Sequence, residues 1–249
     1  MTGLRPRLED RFPLVAAHRG ASRLAPENTM AAFERAVQLG ARAIELDVQL
    51  TADGEAVVIH DATVDRTTDG HGRVSDLARD AVTALDAGAW FGAAFAGERI
   101  PRLAEVLDWA RSRVFLNIEL KPATGDDDAL AAKVAGLVRA TGMTDGCLAM
   151  SFDHVAVERF KVAAPSVPAL VIAGARLFRE IPYVRSVGAD GSNHSPAWWT
   201  APTCAAFRAA GLVAHASLVN EAAAWAQAVD RGVDMVDTDE PALFGGGDA

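Results

Sequence analysis

Nine short apolar segments recur along the chain, and longer helical patterns separate nearly all of them. The strand candidates are 14–18, 43–48, 56–60, 114–120, 147–151, 168–172, 189–193, 212–216 and 234–238. Helical periodicity falls near 29–39, 103–111, 128–140, 153–163, 176–187, 203–210 and 220–231. Such alternation predicts parallel strands joined by helical crossovers. At 249 residues the chain has the length of one (β/α)8 barrel. Nine strands are one too many for that barrel. The segment 56–60 follows 43–48 with no helix between, and the connector from Thr51 to Gly54 ends in Asp-Gly, a turn signal. Those two segments therefore read as a hairpin, and removing the extra strand leaves eight. The predicted architecture is a single (β/α)8 TIM barrel over 1–249, with a small insertion after the second strand at about 49–101.

A doubly wound open sheet would show the same alternation. It usually carries a G-x-G-x-x-G phosphate loop after its first strand. Here the first strand ends in His18-Arg19-Gly20, which favours the barrel. Lys and Arg total 24 against 33 Asp and Glu, a formal net charge of −9, and this argues against nucleic acid as the partner. No apolar run approaches the ~20 residues of a membrane span, so stable membrane insertion is not expected. The basic N-terminus lacks an apolar stretch behind it, which reads against a signal peptide. Cys147 and Cys204 sit in apolar surroundings and read as buried thiols, so the expected compartment is cytoplasmic. The tail GGGDA is expected to fray.

Charge inside the strand candidates carries the functional signal. Alternate residues of a strand share a face. In 43–48, Ile44, Leu46 and Val48 take one face while Glu45 and Asp47 take the other. In 114–121, Asn117, Glu119 and Lys121 lie opposite an apolar face. Packed in a barrel, the apolar faces meet the helices and the charged groups point inward. Glu45 and Asp47 would stand about 6–7 Å apart, two strand rises. At an effective dielectric of about 20, two such anions repel by roughly 2–3 kcal/mol. That is a large share of a typical stability. Oxygen ligands favour a hard divalent cation, Mg2+ or Ca2+. The plainer reading pairs these carboxylates with Lys121 and Arg19 as barrel filling.

His18 and His60 each end a strand candidate, where barrel active sites are built. Two imidazoles flanking a phosphorus centre could remove a proton on one side and supply one on the other. Arg19 offers a fork of donors for phosphoryl oxygens. His71 reads as part of a solvated turn. His154, His194 and His215 read as structural, with the last two second-rank pocket candidates.

These residues come in an order that resembles the glycerophosphodiester phosphodiesterases. The match runs through His18-Arg19-Gly20, Pro26-Glu27-Asn28-Thr29, Glu45-Leu46-Asp47-Val48, Asp53-Gly54, His60-Asp61, Asp65-Arg66-Thr67-Thr68, Ile118-Glu119-Leu120-Lys121, Ser151-Phe152-Asp153 and Thr238-Asp239 with Pro241. It spans about 15–241. The resemblance implies a barrel with an insertion after its second strand. It also implies hydrolysis of a small-molecule glycerophosphodiester to glycerol 3-phosphate and an alcohol, with a divalent cation. By position, Glu45, Asp47 and Glu119 would be metal ligands, His18 and His60 the acid–base pair, and Arg19 and Lys121 the phosphate holders. Two departures stand out. Ser217-Leu218 occupies the place of a usual Trp-Thr, and Asp237 that of a usual apolar residue.

Three rival readings fit parts of the pattern. Glu45, Asp47, Glu119 and Lys121 could serve proton abstraction beside a carboxylate, as in enolase-like barrels, although the paired histidine segments favour a phosphodiester. A lysophospholipase D-like or sphingomyelinase D-like enzyme would need an apolar rim, for which Trp90-Phe91, Phe95 and Trp198-Trp199 are candidates against a core-packing reading. A silent barrel binding module is the third.

Overall fold

The computed structural model describes residues 12–123 and 128–243, so the expected frayed tail and the N-terminal segment lie outside the described residues. Eight parallel strands close a barrel: β1 (Leu14–His18), β2 (Ala43–Leu50), β4 (Phe115–Leu120), β5 (Cys147–Ser151), β6 (Ala169–Ile172), β7 (Gly191–His194), β8 (Val213–Ser217) and β9 (Met235–Thr238). Closure comes from β1, which pairs with both β2 and β9. The ninth strand, β3 (Ala56–Val58), is antiparallel to the far end of β2. The turn between them uses Gly54 at φ 75°, a left-handed conformation open to glycine at no cost. The hairpin reading of 56–60 thus holds in kind, but the strand stops at Val58. Ile59 and His60 run on as a loop. It is pinned by the Gln49 side chain, which donates to the carbonyls of Ile59, His60 and Asp61 at 3.2, 2.9 and 2.5 Å.

Helices α1 (Met30–Gln38), α3 (Leu103–Ala110), α4 (Asp128–Ala140), α5 (His154–Ala163), α6 (Glu180–Ser186), α7 (Ala201–Ala209) and α8 (Ala222–Arg231) fill the crossovers, and the short α2 (Arg79–Thr83) lies in the β2–β4 connection. Their starts follow local chemistry. Thr29 caps α1 by accepting from the Ala32 amide, and Asp153 caps α5 by accepting from those of Val155 and Ala156. The pattern at 176–187 yields a shorter helix. Arg179, at φ 52°, turns the chain left-handed just before Glu180. Among the described residues, no helix is long and apolar enough to cross a membrane.

The alternation read from β2 and β4 sorts as expected. Ile44, Leu46, Val48, Leu116, Ile118 and Leu120 pack outward in the main core with Phe33, Leu103, Leu107 and Phe160. Inside the barrel, the N-terminal half is plugged by Leu14, Phe115, Leu148, Leu170, Val213 and Met235. Polar residues are confined to the opposite half, at the C-terminal ends of the strands. Burying them there requires partners, which the site supplies for many of their polar atoms but not for all.

Candidate active site

A cavity of about 280 Å3 opens at that end, lined by His18, Arg19, Glu45, His60, Glu119, Lys121, Met150, Phe152, Ile172, Asn193, Ser217, Leu218 and Asp237. Six of the seven residues singled out by sequence line it, and the seventh, Asp47, is fully buried behind them. Strand register sets this convergence. Glu45 pairs across from His18, and Asp47 across from Glu119.

The three acidic residues each bring a carboxylate oxygen within 4.8 Å of the other two. Arg19 and Lys121 partly neutralise them. Lys121 Nζ lies 2.6 Å from Glu119 Oε1 and 3.3 Å from Asp47 Oδ1, and Arg19 Nε lies 3.2 Å from Asp47 Oδ2. The plain barrel-filling pairs therefore exist. They do not exhaust the acceptors, because Glu45 Oε1 is buried without a hydrogen bond. Asp47 Oδ1, though near Lys121, also lacks one with proper geometry. Burial pushes the Glu45 carboxyl well up, and Asp47, Asp237 and Glu119 add to the shift; Glu119 is raised for similar reasons. When all three carboxyls are ionised they exceed the two cations by one negative charge, and a phosphodiester would add a second. A divalent cation balances both. The unpartnered acceptors are hard oxygens, so the residues fit such an ion.

Each histidine is backed by a carboxylate that sequence motifs contained but to which no role was attached. His18 Nδ1 lies 2.7 Å from Asp239 Oδ1, and Asp239 is itself held by the Asn220 amide at 2.8 Å. His60 Nδ1 lies 2.7 Å from Asp61 Oδ1. The Arg66 guanidinium then clamps Asp61 and reaches Glu27, which accepts from Arg19 at 2.9 Å. A carboxylate on Nδ1 fixes the proton there and leaves Nε2 free to work. Burial lowers the His60 pKa below its ordinary value against the pull of Asp47 and Asp61.

Backbone geometry completes the frame. Arg19 adopts φ 56°, which aims its amide at Glu45 Oε2, 3.0 Å away. Gly20 beside it is irreplaceable on steric grounds: a Cβ there would stand 2.7 Å from the Ala32 carbonyl carbon. Asn28 grips Asp47 from the side, donating to Oδ2 at 2.8 Å.

The remaining histidines divide as read. His71 is exposed, and His154 is held between Tyr183 and the Ile172 carbonyl. His194 pairs with Glu180, away from the cavity. His215 is fully buried beneath the cavity, with Nε2 3.0 Å from Asp237 Oδ1. None of the aromatics proposed for a lipid rim lines the cavity, although Trp90 is exposed and Phe91, Phe95 and Trp198 are half-buried. Trp90, Phe91 and Phe95 stack edge to face, and Trp199 is buried on the His215 carbonyl.

Residues 18–243 match the sequence profile of the glycerophosphoryl diester phosphodiesterase family. The chain belongs to that family. A glycerophosphodiester phosphodiesterase of Caldanaerobacter subterraneus subsp. tengcongensis is 48% identical over 153 residues, 61% of this chain and 63% of that protein, so the aligned part spans less than two thirds of this relative. One from Bacillus altitudinis is 34% identical over 91% of this chain and 94% of its own. An Oleispira antarctica phosphodiesterase, solved in complex with the product sn-glycerol 3-phosphate, superposes with a TM-score of 0.89 at 29% identity, covering 95% of this chain and 98% of that one.

Proposed function

We propose that this barrel, acting as a single catalytic domain with an insertion at about 49–101, hydrolyses small-molecule glycerophosphodiesters to sn-glycerol 3-phosphate and an alcohol. The supporting observation is the convergence of three buried carboxylates, two with unspent oxygens, on a cavity that also holds two carboxylate-backed histidines. Glu45, Asp47 and Glu119 would hold Mg2+ or Ca2+, which when bound supplies charge neutralisation at the phosphoryl oxygens. Arg19 and Lys121 orient the phosphodiester. At neutral pH His60, kept neutral by burial, accepts the proton of the nucleophile, which is either water itself or a glycerol hydroxyl whose cyclic phosphate product water then opens. His18, its Nδ1 held by Asp239, delivers a proton through Nε2 to the leaving alkoxide. Both cysteines are unpaired and buried, which suits a reducing, cytoplasmic setting.

The test is release of glycerol 3-phosphate from a panel of glycerophosphodiesters; no release from any member would reject the reading. A lipid reading draws on the cavity mouth, where Phe152 and Leu218 are exposed. Faster release from lysophospholipids than from water-soluble diesters would favour it.

Cation binding should also show in stability. Glu45 and Glu119 have folded pKa values above those of the unfolded chain. The folded protein therefore holds protons that the unfolded chain has released, and without cation it loses stability as pH rises through the raised values. A cation removes that penalty. Calorimetry is expected to give a larger Mg2+- or Ca2+-induced rise in Tm at pH 7.5 than at pH 5, and an increment independent of pH would contradict the ligand set.

A further inference from the structure

The side of the cavity facing away from Lys121 holds a second polar cluster, centred on Ser217 and Asp237. Register places Ser217 on β8 directly beside Asp237 on β9, and Asn193 on β7 beside His215 on β8. Asp237 is buried and saturated. Its Oδ1 faces His215 Nε2 at 3.0 Å and accepts from Asn117 Nδ2 at 3.3 Å, while its Oδ2 accepts from Ser217 Oγ and from Asn193 Nδ2 at 3.4 Å.

This arrangement fixes the protons of Ser217 and Asn193. A carboxylate only accepts, so the Ser217 hydroxyl must donate to it, and Asn193 must present its amide nitrogen. Asn193 Nδ2 also donates to Ser217 Oγ at 2.8 Å. The Asn193 carbonyl oxygen is thereby turned the other way, and it finds no partner in the protein although the residue is only 2% exposed. An unmatched buried acceptor is costly. Asn193 lines the cavity, as does Ser217, whose oxygen keeps one further lone pair. Two acceptors with no donor left between them call for a ligand that brings O–H groups.

We propose that Asn193, Ser217 and Asp237 form a hydroxyl-binding floor that selects a polyol portion of the substrate. Asn193 accepts the hydroxyl's hydrogen bond, Ser217 flanks it, and Asp237, held by Asn117 with the His215 ring beside it, orients both. The proposal rests on the phosphodiesterase reading above. The polyol has two sources in such a diester, the glycerol unit and the leaving alcohol.

Three substrates separate them: the sn-glycerol 3-phosphate ester of ethanol, the same ester with propane-1,3-diol replacing glycerol, and the sn-glycerol 3-phosphate ester of glycerol. The first against the second reads the glycerol unit; the third against the first reads the leaving alcohol. The wild type is expected to prefer the more hydroxylated member of one pair by at least about 10²-fold in kcat/KM, as sites built around a substrate hydroxyl do. In Asn193→Ala that ratio should shrink by roughly tenfold or more, through a KM rise for the hydroxylated member. Ser217→Ala keeps Asn193 but frees its amide, and should move the ratio the same way, so the test survives if Asn193→Ala fails to fold. A wild type without preference in either pair, or a preference that folded variants retain, overturns the proposal. Failure of the phosphodiesterase reading would look different, as no turnover of any of the three esters by the wild type.

Discussion

Thorough chelation is expected to reduce glycerol 3-phosphate release by about 10³-fold or more, and Asp47→Asn should reproduce most of that loss with cation present. Charge stabilisation by a bound cation amounts to several kcal/mol in phosphoryl chemistry. Asp47 is the severest single test because it is fully buried, contacts Arg19, Lys121 and Asn28, and still leaves Oδ1 without a hydrogen bond. Asparagine keeps its volume and one oxygen but removes the charge that draws a divalent ion. It also leaves two neighbouring cations short of a counter-charge. Restoration by Mg2+ or Ca2+ after chelation identifies which ion the oxygen set holds. Release that continues unchanged in chelator, or in folded Asp47→Asn, would leave the three carboxylates as partners of Arg19 and Lys121 and nothing more.

How much of this site could be read from residues alone depended on how local each signal was. Glu45, Asp47 and Glu119 were legible because a strand with one apolar face declares where its other face points, and closure of the barrel then leaves that face only the interior. His18 was legible as a strand-end residue. His60 was found by the same rule for a partly different reason, since it belongs to the loop past β3, tethered by Gln49. Asp239 lies 221 positions from His18, and Arg66 lies 39 from Glu27. No periodicity links such pairs; only closure of β1 on β9 and folding of the insertion over β2 bring them together. The Ser217–Asp237 contact was hidden similarly. Each residue stood out as a departure, but that the departures touch depends on the register of β8 against β9. The helix expected from 176 begins four residues late because a left-handed residue leaves no trace in hydrophobic spacing.

His60→Ala and His18→Ala are each expected to lower kcat by at least about 10²-fold, the low end for loss of a positioned acid or base. The structure makes the comparison sharper than two knockouts, because each imidazole has its own carboxylate behind it. Asp61→Asn would leave His60 in place while weakening the hold on its Nδ1, and Asp239→Asn would do the same for His18. If each carboxylate acts by holding the ring so that Nε2 faces the phosphodiester, these variants should lose activity less than the alanine variants, with the loss in kcat rather than KM. Pairing His60→Ala with Asp61→Asn should then cost little beyond His60→Ala alone, since an orienting group has nothing left to orient. Additive losses would mean that Asp61 acts elsewhere, through the Arg66–Glu27–Arg19 chain that reaches the cavity at Arg19. Near-normal turnover in folded His18→Ala or His60→Ala would take that imidazole out of proton transfer altogether and leave its neighbouring carboxylate as a structural tie.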